Sequence, residues 1–397
     1  MAAVNKLMVD YGANGNVIRE IHAYAVSRIA QGDRIYDFTI GNPSVPAPEI
    51  VDQTIDALVT SGNTSEVHAY TAASGSDEFK DAIIANIRER FGVDARRNLL
   101  YITSGAAAAL AIAIKALLVD HEDVFMTQVP YFSEYRVYAE GLGAQFIEIP
   151  EDPEHFHINF EQLEKLISPK TKGIIINSPN NPSGAVFPPE VIKRFCDFLR
   201  QKEAEYGHQI FIISDEPYRE LVYDEDTVVP YIPCEYEDTI VCYSYSKSLS
   251  LPGERLGYIF VNPAMKNADE VAAAINGAGR VLGYICAPSM MQKTISLCQG
   301  LTSDISVYKR NRDLLYNALT EYGFDCIYPD GAFYLFMKAP GGDTSAFLES
   351  AKKYGILFVP SESFGCSGYV RIAYCVSTEM IEESLPLWKK LAADVIK

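Results

Sequence analysis

The chain has 397 residues, 48% hydrophobic and 22% charged, which is typical of a globular protein with a large buried core. Its net charge of −18 argues against DNA, RNA or an anionic membrane as the main partner, because each demands a basic face. Eight cysteines without a Cys-x-x-Cys pair indicate reduced thiols. The six histidines form no convincing metal site. No apolar run is long enough for a signal peptide or a membrane span. We therefore expect a cytoplasmic enzyme.

The N-terminal part of the chain is predicted to be mainly helical. Apolar residues recur at helical spacing over 17–31, and further helices are expected over 48–60 and from Gly75 onwards. A short strand over 35–40 ends at Gly41-Asn42-Pro43, a turn at which the backbone can approach a ligand closely. Gly41 is therefore a candidate substrate contact.

From residue 99 onwards, strands alternate with helices. The predicted helices cover 105–118, 131–140 and 189–202, and the predicted strands cover 99–103, 124–129, 145–149, 173–176, 210–214, 239–243 and 257–261. A wholly apolar strand such as 173–176 is typical of a parallel sheet covered on both faces. The pattern predicts an α/β fold with a doubly wound, mostly parallel sheet, whose ligands bind outside the carboxyl ends of the strands.

The C-terminal part is predicted to form a smaller α+β domain. Helices are expected over 290–301, 304–322, 344–353 and 378–395, and strands over 333–337, 356–359 and 369–373. We expect the N-terminal segment to join this domain. The predicted division is a large domain of residues 46–288 and a small domain formed by 1–45 and 289–397.

One lysine, Lys247, follows an apolar strand within the serine-rich stretch from Ser244 to Gly257. Poor solvation at the end of a buried strand disfavours the ammonium form and frees the amine as a nucleophile. Serine hydroxyls and Arg255 are the donors that a phosphate monoester needs. A Schiff-base lysine beside a phosphate cradle indicates pyridoxal phosphate, although a solvated polar loop also explains these residues.

Polar side chains follow two of the other predicted strands. Asn181 lies in an Asn- and Pro-rich stretch that is either a simple turn or the source of an amide donor for a ligand. Asp215 is either a helix N-cap or a buried carboxylate that keeps a pyridine nitrogen protonated. Tyr218 could direct its phenol at the same ring.

Three further features have a structural and a functional interpretation. Gly105, Ala106 and Ala107 stand where a strand turns into a helix, which is either an anion site or a closely packed alanine helix. Phe132 is either a core residue or a ring that stacks on a planar cofactor. Arg371, inside an apolar strand, requires an anionic partner, either a structural carboxylate or that of a substrate.

With these residues in this order, and without a Walker or Gly-x-Ser-x-Gly motif, the chain resembles the class I and II aminotransferases. These are fold-type I pyridoxal phosphate enzymes, and the aspartate aminotransferase-related branch is the most similar. The resemblance extends from Gly41 to Arg371. It implies the pyridoxal phosphate transferase fold for the large domain and pyridoxal 5′-phosphate as the cofactor.

The resemblance assigns the residues that handle the reacting atoms. Lys247 would form an aldimine with the cofactor and move the proton between the substrate α-carbon and the cofactor C4′ atom. Asp215 would pair with the pyridine nitrogen. Asn181 and Tyr218 would hold the 3′ oxygen of the ring, and Arg371 would clamp the substrate α-carboxylate.

The remaining assignments concern the phosphate and the ring face. Phe132 would stack on the ring, and Gly41 would lie with Asn181 beside the substrate. Tyr70 matches the tyrosine that reaches the cofactor phosphate of the neighbouring subunit, which implies a homodimer with shared active sites. The phosphate ligands would be Gly105, Ala106, Ala107, Ser244 and Arg255.

The implied reaction moves an amino group from an L-amino acid to a 2-oxo acid, with 2-oxoglutarate expected, by ping-pong chemistry. The donor stays open between aspartate-like and aromatic or neutral amino acids. Phe132 stands where many aspartate enzymes have a tryptophan. Residues 106–109 offer no cation for the distal carboxylate of a dicarboxylic substrate. Arg280 does not match the sequence position of the arginine that binds this carboxylate in other relatives. The alternatives are a pyridoxal phosphate-dependent C–S β-lyase and a non-catalytic ligand-sensing module.

Overall fold

The computed structural model describes residues 4–13, 17–152 and 154–396. The helices are α1 (Lys6–Ala13), α2 (Val17–Ala30), α3 (Glu49–Thr60), α4 (Thr64–Val67), α5 (Asp77–Phe91), α6 (Ala106–Leu117), α7 (Glu134–Gly141), α8 (Phe160–Leu166), α9 (Pro189–Tyr206), α10 (Ile232–Glu235), α11 (Tyr245–Ser248), α12 (Ala268–Leu282), α13 (Ser289–Ser296), α14 (Ser306–Glu321), α15 (Thr344–Lys352) and α16 (Thr378–Val395). Within the described ranges, none of them has the length and apolar character needed to cross a membrane.

The strands form three sheets. They are β1 (Tyr36–Asp37), β2 (Leu100–Thr103), β3 (Val124–Gln128), β4 (Gln145–Ile149), β5 (Thr171–Asn177), β6 (Phe211–Asp215), β7 (Thr239–Ser244), β8 (Gly257–Val261), β9 (Cys326–Ile327), β10 (Tyr334–Lys338), β11 (Ile356–Leu357), β12 (Val359–Pro360) and β13 (Tyr369–Ala373). The largest sheet has seven strands in the order β2-β8-β7-β6-β5-β3-β4. Only β8 runs antiparallel to its neighbours, so the predicted mostly parallel α/β sheet is confirmed.

The register of the large sheet aligns the carboxyl ends of its central strands. Asn177 at the end of β5 lies opposite Asp215 at the end of β6, and Asp215 lies opposite Cys242 of β7. These strands are almost completely buried, because helices cover both faces of the sheet. Side chains that follow β5, β6 and β7 therefore gather at one edge of the sheet.

The C-terminal part contains a second core. Its four-stranded antiparallel sheet has the order β12-β13-β10-β9, while β1 pairs in parallel with β11. Ile21, Ala25 and Phe38 from the N-terminal segment pack in this core. The predicted domain boundaries stay a prediction, and their residues 1–3, 14–16, 153 and 397 lie outside the described residues.

Several elements differ from the sequence prediction, among them α8 and β9, which were not predicted, and two of the differences have a packing reason. The strand predicted over 35–40 pairs only at Tyr36–Asp37, because the Thr39 carbonyl accepts a hydrogen bond from Arg371 instead of from a strand. Helix α12 was not predicted, since Gly277 and Gly279 interrupt its apolar pattern. A side chain at Gly279 would collide with the Tyr101 ring, so the glycine lets helix and sheet pack closely.

Candidate active site

A cavity of about 1180 Å³ opens at the carboxyl edge of the large sheet. Most of the sequence-predicted site residues line it: Gly41, Ala106, Ala107, Phe132, Asn181, Asp215, Tyr218, Ser244, Lys247, Arg255 and Arg371. Gly105 lies directly beside Arg255, whereas Tyr70 is 96% exposed and does not line the cavity. The cavity thus brings together residues that are far apart in the sequence.

Lys247 lies in α11, the single helical turn that follows β7. The Ser244 side chain caps this turn by accepting a hydrogen bond from the Ser246 amide at 3.2 Å. The Lys247 Nζ atom donates to the Gly41 carbonyl at 2.6 Å. Burial lowers the pKa of Lys247 to about 8, and the positive charges of Arg371 and Arg255 act in the same direction. The amine is therefore partly neutral near neutral pH and available as a nucleophile or base.

Asp215 is the last residue of β6, and only one of its two carboxylate oxygens accepts a hydrogen bond among the described residues. Tyr135 donates to its Oδ2 atom at 2.5 Å, whereas Oδ1 is buried and has no hydrogen-bond partner within the described residues. Burial raises the pKa of Asp215 to about 7. A buried carboxylate oxygen without a donor is rare and expensive, and the N–H of a pyridinium ring would supply the missing bond. The site fits pyridoxal phosphate at this point.

Asn177 and Asn181 hold the neighbouring backbone in place. Asn177 Nδ2 donates to the Asp215 carbonyl at 2.8 Å, and Asn177 Oδ1 accepts from the Asn181 amide at 2.8 Å. Asn181 in turn accepts a hydrogen bond from Arg371 through its Oδ1 atom at 2.9 Å. One network thus connects the ends of β5 and β6 with Arg371 in β13.

The amino end of α6 meets a guanidinium group that has no carboxylate partner among the described residues. Arg255 donates to the carbonyls of Ser104 at 3.1 Å and Pro252 at 3.0 Å. Gly105 has a φ of 83°, and a Cβ atom on it would lie 2.6 Å from Arg255 Nη2. Free amides, a helix dipole and an uncompensated cation together form an anion site. These residues could hold the phosphate of the cofactor.

Arg371 is buried in β13 without an anionic partner in the described ranges. Its Nη1 atom donates to Asn181 and its Nη2 atom to the Thr39 carbonyl at 2.6 Å, while Nε has no partner. The Tyr334 ring lies 4.5 Å from the guanidinium carbon. Burial lowers the pKa of Arg371. A buried cation without a counter-charge is unfavourable, so an incoming carboxylate would stabilise this position.

Tyr135 and Tyr334, which bond to predicted site residues, were not predicted from the sequence. Tyr135 bonds to Asp215, and the Tyr334 hydroxyl lies 2.9 Å from that of Tyr218. Tyr334 also packs so tightly against Gly41 that any side chain there would collide with its hydroxyl. The only sequence signal for Tyr334 is a tyrosine at the start of an otherwise apolar strand.

Beside Phe132, the cavity is lined by residues that were not predicted to be part of the site. Phe132 is partly buried, with its ring edge-on to Tyr135 at 5.7 Å. Aromatic and apolar side chains extend the wall beyond it, namely Tyr11, Ile18, Ile40, Leu110, Val137 and Tyr138. Helix α2 also contributes Arg19 and Glu20. The cavity lining therefore combines the charged groups around Lys247 with several aromatic and apolar side chains.

The comparisons with known proteins match nearly the whole chain. The family model described as "Aminotransferase class I and II" matches residues 33–385. Aromatic-amino-acid aminotransferase 2 from Thermococcus litoralis is 28% identical over 373 residues, which covers 91% of this chain and 93% of that protein. A probable aspartate/prephenate aminotransferase from Thermus aquaticus is 27% identical over 380 residues, covering 92% and 93%.

The fold is also shared with solved structures. The crystal structure of an aminotransferase from Eubacterium rectale has a TM-score of 0.96 and 49% sequence identity, with 100% of both chains covered. The predicted family resemblance, fold class, enzyme class and cofactor are thus confirmed. The chain belongs to the class I and II aminotransferases, as a pyridoxal phosphate-dependent enzyme of fold type I.

Proposed function

We propose that this aminotransferase uses an L-amino acid with an aromatic or other bulky apolar side chain as donor and 2-oxoglutarate as acceptor. The observation that carries the proposal is the lining of the cavity, in which Tyr11, Leu110, Val137 and Tyr138 occur together with Arg371. The first turns of α6 add only alanine to this wall. An apolar wall stabilises an apolar substrate side chain by removing it from water.

The proposed roles follow from the hydrogen bonds that the site leaves unmade. Arg371 binds the substrate α-carboxylate with donors that lack an anionic partner among the described residues. Asp215 keeps the proton on the pyridine nitrogen through its unpartnered Oδ1 atom. When bound, pyridoxal phosphate supplies an electron sink that stabilises negative charge on the substrate α-carbon. Lys247, whose pKa is lowered to about 8, takes the proton from that carbon. In the reverse reaction it returns a proton to the same carbon.

Further residues are proposed to fix the ring and the phosphate. Asn181 and Tyr218 hold the ring oxygen, Phe132 covers one face of the ring, and Gly41 borders the substrate beside Tyr334. The support is that all of them line one cavity with Lys247. The proposed phosphate ligands are Ser244, Arg255 and the amides of Gly105, Ala106 and Ala107.

We also propose a homodimer in which Tyr70 reaches the cofactor phosphate of the partner subunit. Tyr70 is 96% exposed, and Tyr284 and Ile285 are 43% and 46% exposed. These residues lie close together, because the Cys286 amide donates to the Ala73 carbonyl at 3.1 Å. A cluster of exposed large apolar side chains is typical of a protein interface.

The proposed domain division follows the two cores. We propose a large domain over 46–288 and a small domain from 1–45 and 289–397, although α13 (Ser289–Ser296) packs against α3 and α5 and so favours a boundary just after it.

A cytoplasmic location is proposed because all eight cysteines are free.

The test measures the single-turnover rates of the purified enzyme with a panel of amino donors. We expect phenylalanine, tyrosine and leucine to react with a kcat/KM at least about tenfold above that of aspartate, since burying a large apolar side chain contributes roughly 1.5–3 kcal/mol. Aspartate reacting as fast as phenylalanine would contradict the proposed donor class. Pyruvate and ammonia released from a cysteine S-conjugate without a 2-oxo acid, together with the thiol that leaves, would instead indicate β-elimination.

A further inference from the structure

One tyrosine of the cavity contacts several groups of the proposed mechanism but has no role of its own in it. Tyr334, the first residue of β10, is only 2% exposed and lines the cavity. Its hydroxyl lies 2.9 Å from that of Tyr218, and its ring lies 4.5 Å from the guanidinium carbon of Arg371. It also packs against Gly41, whose carbonyl accepts a hydrogen bond from Lys247. A side chain in this position can determine how its neighbours are oriented.

The hydroxyls of Tyr218 and Tyr334 constrain each other's protons. Each hydroxyl has one proton to donate, so the hydrogen bond between them uses the proton of one of the two. Tyr218 can donate to the ring oxygen of the cofactor only when Tyr334 is the donor in this pair. Burial raises the pKa of Tyr334 to about 12, so its hydroxyl keeps its proton at neutral pH. Hydrogen bonds in such a chain strengthen one another.

The ring of Tyr334 stabilises a cation that has no counter-charge among the described residues. The guanidinium carbon of Arg371 lies 4.5 Å from the centre of this ring and 4.9 Å from that of the Phe364 ring. A desolvated guanidinium is attracted to the negative face of an aromatic ring. Tyr334 therefore offsets part of the cost of keeping Arg371 buried before a carboxylate arrives.

We propose that Tyr334 is a positioning residue whose hydroxyl and ring act on different groups. The hydroxyl donates to Tyr218 and so directs the Tyr218 proton to the cofactor oxygen, while the ring holds Arg371 in place for the α-carboxylate. This assignment rests on the proposed roles of Tyr218 and Arg371. The hydroxyl and the ring can be removed one at a time, and their removal should have different consequences.

The hydroxyl is tested with the cofactor-free enzyme in a double-mutant cycle of Tyr334→Phe and Tyr218→Phe. Equilibrium titration with pyridoxal phosphate should show an affinity about 3- to 10-fold lower for Tyr334→Phe, because the variant removes a buried hydrogen bond. In the Tyr218→Phe background the same change should alter the affinity by less than about twofold, since the partner hydroxyl is already gone. Equal losses in both backgrounds would overturn the role of the hydroxyl. Tyr374→Phe, which removes a buried hydroxyl bonded to the Ala332 carbonyl, is the control and should match the wild type.

The ring is tested with the holoenzyme and the monocarboxylate 3-phenylpropionate. Its Kd should stay within about twofold of the wild-type value in Tyr334→Phe, which keeps the ring. In Tyr334→Leu it should rise about tenfold or more, because the contact between the ring and a desolvated guanidinium is lost. Tyr374→Leu, which loses a ring from the same core, is the control and should bind the ligand like the wild type.

An unchanged Kd in Tyr334→Leu would overturn the role of the ring, as would equal losses in Tyr334→Leu and Tyr374→Leu, which would indicate a general effect on the core. These binding measurements do not depend on turnover. An enzyme that does not bind 3-phenylpropionate would contradict the proposed donor class, and glutarate in the same comparison would then decide the role of Tyr334.

Discussion

Burial moves the pKa values of the two central ionisable groups toward neutrality from opposite sides. The pKa of Asp215 rises to about 7 and that of Lys247 falls to about 8, because a buried site disfavours the charged form of each. A pyridinium ring bound at Asp215 would favour the carboxylate again, whereas Lys247 has no negative partner among the described residues. The site is thus prepared for a cationic ring and a neutral amine.

The first prediction concerns the pH dependence of cofactor capture by Lys247. Only the neutral amine can attack an aldehyde, and its pKa is lowered from 10.5 to about 8. The rate at which the cofactor-free enzyme takes up pyridoxal phosphate should therefore rise through about pH 8 and level off above it. Stopped-flow absorbance measures this rate, and a midpoint near pH 10.5 would show an unperturbed lysine.

The second prediction is that Tyr135→Phe weakens cofactor binding. The variant removes the donor to Asp215 Oδ2 and raises the pKa of Asp215 further, because this hydrogen bond lowers it. We expect a loss of roughly 1–3 kcal/mol in cofactor affinity, partly recovered at higher pH. Equilibrium titration with pyridoxal phosphate measures it. Tyr131→Phe, which removes a bond to Glu148 outside the cavity, is the control, and an equal loss in both variants would count against the assigned role.

The sequence predicted the candidate site better at strand ends than between elements. Asn181, Asp215 and Lys247 follow apolar strands, and parallel strands bring such positions to one edge. Tyr135 and Tyr334 could not be predicted in the same way. Their hydroxyls meet partners 80 and 116 residues away, so their roles depend on the packing of α7 and β10.

At the scale of elements, the junction between β2 and α6 concentrates the positive potential of the site. Gly105 stands at the N-cap with φ 83°, and the α6 amides and Arg255 meet beside it. A residue with a side chain would both strain the backbone and displace the guanidinium group.

The third prediction follows from this junction. Gly105→Ala should weaken cofactor binding by at least about tenfold, since the new Cβ would lie 2.6 Å from Arg255 Nη2. Gly92→Ala is the matched control, because Gly92 also has a positive φ of 70° but faces open space. Thermal unfolding should show losses in both variants, whereas the cofactor Kd should change only for Gly105→Ala. Unchanged cofactor affinity in Gly105→Ala would contradict the phosphate assignment.

Element boundaries were predicted well where the local pattern decides them. The strands over 145–149, 257–261 and 369–373 and the helix over 378–395 agree with the structure residue for residue. The strand at β1 is shorter than predicted, because the Thr39 carbonyl accepts a hydrogen bond from Arg371, a long-range contact that the local sequence does not encode. Helix α12 was not predicted because glycine has a low helix propensity, and Gly279 is required there by its close contact with the Tyr101 ring.

At the scale of the whole molecule, Tyr70 is the predicted site residue that lies apart from the cavity, whereas Gly105 adjoins Arg255 of the cavity lining. Tyr70 is 96% exposed, and in the proposed homodimer it would reach the cofactor phosphate of the partner subunit. The described cavity already contains the other groups, which makes the partner's contribution separable by mutation.

The fourth prediction is complementation between subunits. Tyr70→Ala and Lys247→Ala should each be nearly inactive alone, but hybrid dimers of the two contain one intact site. Unfolding and refolding an equal mixture should therefore restore about one quarter of the wild-type activity. A mixture of Asp215→Ala with Lys247→Ala should restore none, because both residues line the cavity of the same chain. Recovery no greater than that of this control would contradict shared sites.

The most direct test of the central claim is the product balance of the wild-type enzyme and of Lys247→Ala with phenylalanine and 2-oxoglutarate. The proposed mechanism predicts equal amounts of phenylpyruvate and glutamate from the wild type. It predicts at least about a 10³-fold lower kcat for Lys247→Ala, whose fold, measured by circular dichroism, should be unchanged. Near-normal turnover by Lys247→Ala would contradict the account, as would glutamate formation that does not match the loss of phenylalanine.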